Sequence, residues 1–296
     1  MIKNDIFLPD EMEKDREILE KTLKKIIFME TERINDVEGL PVTTSKFGGN
    51  PYFPKNADYP KNENGVPLSM LAQINFNEIF TQQNISEELE QDSELKYLPR
   101  KGILSFFIDY YDDVLGSDFG KNEKKTGYRV MYFPEIEDSA NLIDDFRFLD
   151  QKTDSFYPVV DGEYKLSFQI LDQMVTMESY EWEKIIGKEP YDYLEELNED
   201  SQDEVYETYN DAYSGGHQIG GYPFFTQWDP RAAYENLDKY NFLLFQLDSD
   251  FQNKKNIMWG DAGIGNFFIN IEDLKKLDFS NVLYTWDCSK KNCRKE

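Results

Sequence analysis

The stretch FGGNPYFP at 47–54 returns as IGGYPFFT at 219–226, and two further blocks follow it in both places. LAQIN at 71–75 is answered by LFQLD at 244–248, and GILSFFID at 102–109 by GIGNFFIN at 263–270. The step from the first Gly to the Gln is 25 residues in one copy (48 to 73) and 26 in the other (220 to 246). A chain built this way folds as two related halves. Whatever both halves carry is explained first by what both must do, which is to fold.

Each block has a physical reading. In the Gly-Gly-x-Pro block the glycines accept positive φ and close backbone approach, and the proline holds the preceding Asn50 or Tyr222 extended, so a sharp turn enters a strand. Gln73 and Gln246 lie inside apolar strands and are expected as buried amides, satisfied by neighbouring backbone or by each other across the halves. The pairs Phe106-Phe107 and Phe267-Phe268 place one ring on each face of a strand, so both faces of these strands are expected to be covered.

Around the repeats, Ile18, Leu19, Leu23, Ile26 and Ile27 recur at helical spacing, which predicts an amphipathic helix from Pro9 to about Ile34 with Asp10 capping its first turn. The middle of the chain mixes a strand-like YKLSFQIL with helical stretches around MESYEWEKIIG and YLEELNEDSQDEVYETYNDAY. The expected class is α+β, mainly antiparallel β-sheet, as one domain over 1–296. Its parts are an N-terminal helix at 1–40, a first β repeat at 41–134, a helical and acidic middle insert at 135–216 and a second β repeat at 217–296.

The chain carries 58 acidic and 32 basic residues, a formal net charge of −26. Phosphate backbones and anionic headgroups are repelled by such a surface, so nucleic acid and membrane are poor partners and a basic protein is a good one. No run reaches the 18 or so apolar residues of a membrane span, and the acidic start lacks a signal-peptide core, which predicts a cytoplasmic location. Cys288 and Cys293 form a single C-x4-C, half a zinc site at most, and read as two ordinary thiols.

Taken in order, GGNPYFP, LAQINF, HQIGGYPFFTQWD, LLFQLDSD, WGDAGIGNFFI and DLKKLDF resemble the bacterial YwqG-like family, a family without an assigned function, over most of the chain from about Thr43 to Trp286. The resemblance implies a cytoplasmic α+β protein dominated by antiparallel sheet. It also suggests an antitoxin or immunity role in a bacterial toxin system.

Chemistry is sought in what only one copy carries. The second copy alone has His217, the only histidine in the chain, ahead of its Gly-Gly pair, DSD at 248–250 and MWGDAG at 258–263. His217, Asp248 and Asp261 are the candidate catalytic cluster, with His217 as general base or the carboxylates as ligands of a hard cation. One histidine excludes multi-histidine metal sites, and DSDFQNKKN lacks the Gly and the closing Glu of a calcium loop. Neither a Gly-x-Ser-x-Gly elbow nor a phosphate loop nor a dinucleotide fingerprint is present, so no metal and no cofactor is expected. The plainer role of these three residues is to cap turns and hold a loop.

From Glu189 to Asp211 the sequence has ten acids and no base. Tyr191, Tyr193, Tyr206 and Tyr209 are interleaved with Asp192, Glu195, Glu196 and Glu199. The stretch is a solvated helical face with some aromatics docked inward, or an acidic, tyrosine-bearing ridge for a basic protein. The resulting reading is a non-catalytic protein-binding module, an acidic immunity-type inhibitor of a basic toxin. A small-ligand binder or hydrolase using the second-repeat His/Asp cluster is the alternative.

Overall fold

The computed structural model describes residues 6–35, 39–118, 126–149, 156–197 and 201–289. Ten strands form one antiparallel sheet. In chain order they are β1 (Lys24–Ile34), β2 (Lys46–Gly48), β3 (Ser69–Asn75), β4 (Ile103–Ile108), β5 (Tyr128–Phe133), β6 (Glu163–Gln173), β7 (His217–Ile219), β8 (Phe242–Asp248), β9 (Ile264–Ile269) and β10 (Val282–Asp287). Across the sheet they run β10-β9-β8-β7-β1-β6-β2-β3-β4-β5. The two ends approach each other: on β5 the Tyr128 hydroxyl donates to the Val282 carbonyl on β10 at 2.7 Å, which gives a nearly closed barrel.

That order reads the same from both ends once the repeats are matched. β2, β3, β4 and β5 correspond to β7, β8, β9 and β10, and the remaining strands, β6 and β1, lie side by side at the centre. Phe47 pairs with Tyr164 as Ile219 pairs with Ile27, so β6 takes the place beside β2 that β1 takes beside β7. The N-terminal strand thus completes the second half, and the middle strand completes the first. The register of the central pair sets Glu30 opposite Ser167, and the same matching exchanges these two residues, so the approximate two-fold axis passes between them.

The correspondence extends to irregularities. A bulge interrupts the β3–β4 ladder between Met70 and Ala72, and another interrupts β8–β9 between Leu243 and Phe245, at matching positions. The Gln73 carbonyl oxygen accepts the Tyr52 N–H at 2.8 Å, and the Gln246 carbonyl oxygen accepts the Phe224 N–H at 2.8 Å. Their amides donate to the Thr44 and Gly216 carbonyls at 2.7 and 3.1 Å. Each glutamine therefore satisfies backbone in its own half, and no pairing across the halves occurs. Gly48 has φ +67°, and a Cβ there would sit 2.2 Å from the Gly162 carbonyl, so only glycine allows this approach.

The core lies inside the curved sheet. Phe106 packs against Phe245 and Phe267 with ring centroids 4.6 and 5.0 Å apart, which joins the two halves directly. Phe107 and Phe268 point the other way into separate clusters, so these strands are covered on both faces.

The expected N-terminal helix is much shorter than its periodicity implied. A 3₁₀ turn at Asp10–Asp15 leads into α1 (Arg16–Glu20), and from Lys24 the chain is strand. Ile26, Ile27 and Met29 are all buried, so apolar residues occur on both faces of β1 and imitate a helical stripe. The β-branched residues Ile26, Ile27, Thr31 and Ile34 favour the extended form. Asp10 makes no capping bond, and Pro9 occupies the cap position instead.

The first half adds α2 (Phe76–Phe80) and α3 (Gln83–Gln91). The middle segment adds α4 (Glu181–Ile186), α5 (Pro190–Glu195) and α6 (Gln202–Tyr213), and two short helices, α7 (Pro230–Ala233) and α8 (Ile271–Leu274), lie in the second half. Trp182, Val205 and Tyr209 form a second core with Met12 and Leu19, so the N-terminal segment and the insert share one cluster. Cys288 is buried and disulfide-bonded in place of the expected free thiol, and Cys293 lies outside the described residues. No described helix is long and apolar enough to cross a membrane.

Candidate functional site

His217 is the first residue of β7, and its neighbours are set by the sheet. It pairs with Met29 of β1 on one side, and Phe47 meets its ring edge-on with centroids 5.1 Å apart. The side chain is 6% exposed. The Asp248 N–H donates to Nδ1 at 3.1 Å, which places the ring proton on Nε2. Nε2 lies 3.8 Å from the nearer Asp250 oxygen, beyond hydrogen-bond length.

The first half explains the Nδ1 bond. There the Asn75 N–H donates to the Ser45 hydroxyl at 2.8 Å, and Ser45 and Asn75 are the counterparts of His217 and Asp248. An acceptor at this place is a requirement of the fold, met once by serine and once by histidine. What is particular to the second half is the other edge of the ring.

That edge faces a cleft of about 480 Å³ lined by residues that include Phe28, Thr31, Asp248, Asp250 and Lys255. One Asp248 carboxylate oxygen accepts the Gly216 N–H at 2.8 Å. Burial pushes the Asp248 carboxyl above the usual carboxylate range, against the opposing pull of that N–H and of His217. Burial acts on Asp250 in the same sense, but His217, Lys255 at 2.7 Å and the Gln252 N–H outweigh it and hold Asp250 well below the usual range.

Of the three residues singled out from sequence, His217 and Asp248 meet and Asp261 does not join them. Asp261 is exposed in the turn before β9, outside the cleft, where its carbonyl accepts the Ser289 hydroxyl. Asp250 and Lys255 complete the cluster. Asp250 lies in the DSD motif, one turn of chain beyond Asp248, and was legible there. Lys255 carries no motif.

The acidic ridge divides in two. Tyr191 is 69% exposed, and Asp192, Glu195 and Glu196 are exposed beside it on and just after α5. Tyr206 is at the surface, and its hydroxyl donates to Glu178 at 2.6 Å. Tyr193 and Tyr209 are buried: their hydroxyls bond Asp15 and the Val175 carbonyl, and their rings pack edge-on against Trp182. These two anchor the insert to the body and are not available to a partner. Glu199 lies outside the described residues.

One family profile accounts for most of the chain. It spans residues 45–288, from just before β2 to just after β10, and is described as a domain of unknown function (DUF1963). The chain belongs to this family. No curated protein matches it. The matched span contains both β repeats, the cleft and the acidic insert, and it leaves β1 outside although β1 completes the second half of the sheet. DUF1963 brings no activity with it, so function has to be argued from surface and site.

Proposed function

We propose that this DUF1963 protein is a YwqG-like, cytoplasmic, non-catalytic binding module that engages a basic protein through its acidic insert, as an immunity-type inhibitor of a basic toxin. The observation that carries the reading is the exposed face of α5, where Tyr191 stands among Asp192, Glu195 and Glu196 on a chain of net charge −26. An amphipathic ring at the centre of a carboxylate field suits a basic surface: the ring supplies buried contact and the charges speed encounter and fix register. Among the described residues Glu196 is ion-paired with Lys188 at 2.5 Å and Glu195 accepts the Tyr191 hydroxyl. The test is capture of a stoichiometric partner from the producing cell by the intact protein, compared with the variant carrying Tyr191→Ala, Asp192→Asn and Glu195→Gln.

The second reading, a small-ligand site, is favoured by the open cleft at His217. Hydrolysis there is a weaker case. With Nδ1 accepting the Asp248 N–H, the neutral ring carries its proton on Nε2 and offers no lone pair to the cleft, so it is not arranged as a general base.

A further inference from the structure

The internal duplication supplies a reference for the cleft, because the strand positions lining it have counterparts in the first half. Asp248 corresponds to Asn75, and in the same register Asp250 corresponds to Asn77 and Phe251 to Glu78. In the first half the chain turns into α2 at this point and fills the space itself: the Glu78 carboxylate folds back and accepts the Ser45 N–H at 3.0 Å. In the second half no such helix follows β8. Phe251 stands outward, 61% exposed, and the space remains open. Two neutral amides in the closed copy are replaced by two carboxylates in the open one, so the negative charge is not something the fold requires.

The buried ring of His217 adds an independent observation. It is more than nine-tenths buried, it lines the cleft, and the acceptor that Nε2 faces there, an Asp250 carboxylate oxygen, stands 3.8 Å away. That separation is longer than a hydrogen bond and leaves Nε2 able to donate to a closer acceptor in the cleft. Asp250 is already engaged by Lys255 and by the Gln252 N–H, whereas the Asp248 carboxylate meets the backbone N–H groups of Gly216 and Ser249 and, among the described residues, no lysine or arginine. The cleft therefore offers an anionic group and a hydrogen-bond donor next to each other, with the Phe28 ring as one wall.

We propose that this cleft binds a small organic amine carrying an oxygen acceptor next to its primary ammonium, with the ammonium on Asp248 and the oxygen on His217 Nε2. An amino alcohol and an amino acid share that pattern. The Phe28 wall receives the carbon skeleton and adds a cation–π contribution. The inference stands on the small-ligand reading and is independent of the partner surface on the insert.

The test is calorimetric titration of the intact protein with ethanolamine, glycine, ethylamine and ethylene glycol. The expected result is saturable binding of ethanolamine, glycine or both, weaker binding of ethylamine, and none of ethylene glycol. Preference between ethanolamine and glycine identifies the source. Asp248→Asn installs the residue that the first half tolerates at position 75 and is expected to weaken ethanolamine binding by about tenfold or more. His217→Ser installs the counterpart Ser45 and is expected to abolish the preference for ethanolamine over ethylamine. Absence of saturable binding, equal displacement by sodium ions, or unchanged affinity in Asp248→Asn overturns the proposal. The variant Tyr191→Ala/Asp192→Asn/Glu195→Gln should bind the amine as the wild type does, so failure of the partner surface and failure of the cleft are distinguishable.

Discussion

The Asp248 N–H donates to His217 Nδ1 at 3.1 Å, in the geometry by which the Asn75 N–H donates to the Ser45 hydroxyl in the other half. The only histidine of the chain thus performs a task that a serine performs elsewhere in the same molecule. Substitutions at this position separate the two edges of the ring.

His217→Ser retains an acceptor for the Asp248 N–H, whereas His217→Leu leaves that N–H buried and unpaired. The leucine variant is expected to lose about 1–3 kcal/mol of stability beyond any loss in the serine variant. Urea unfolding of both measures the difference.

The paired glutamines give a test of the duplication. Gln73→Leu orphans the Tyr52 N–H and the Val42 and Thr44 carbonyls, and Gln246→Leu orphans the Phe224 N–H and the Gly216 carbonyl. Each is expected to cost about 1–3 kcal/mol, since backbone groups lose their partners in both. Unequal effects, with one substitution nearly neutral, would contradict the equivalence of the halves.

Lys46 is fully buried beside Glu163 at 2.6 Å, and burial draws its ammonium below its usual range despite that partner. Lys46→Met strands a largely buried carboxylate and is expected to cost about 3–5 kcal/mol. Adding Glu163→Gln should restore part of the loss, and thermal or urea unfolding of the single and double variants reads it.

Burial raises the Glu178 carboxyl above its usual range, although Tyr206, Asn210 and Ser214 hydrogen-bond to it. A raised folded value means that the folded state holds the proton more tightly. Its contribution to stability is therefore present below the ordinary carboxyl range and lost as pH rises through the folded value. Glu178→Gln keeps an acceptor for Tyr206 and Asn210 and should flatten that part of the stability–pH profile. An unchanged slope would rule Glu178 out as its source.

The parts legible in the sequence were those that recur. Phe47, Gln73 and Phe106 each have a partner block, and so β2, β3, β4 and their counterparts can be placed from the sequence alone. The central pair was hidden, because KKIIFMETERI and EYKLSFQILDQ share structural position but no residue pattern, and β1 is apolar on both faces. At the site, His217 and Asp248 were found by asking what one copy has alone. Asp261 was misplaced because proximity to the Gly263 block in sequence says nothing of which side of β9 the turn lies on. Tyr193 and Tyr209 could not be told from Tyr191 by composition, since the difference is the N-terminal segment packed over them.

Binding of a basic protein by the exposed insert is the central claim. Capture from the producing cell with the intact chain and with the Tyr191→Ala/Asp192→Asn/Glu195→Gln variant tests it most directly. The predicted result is a stoichiometric basic partner that dissociates as salt is raised and is lost from the variant. Recovery of no such partner, or equal recovery by the variant, would contradict it.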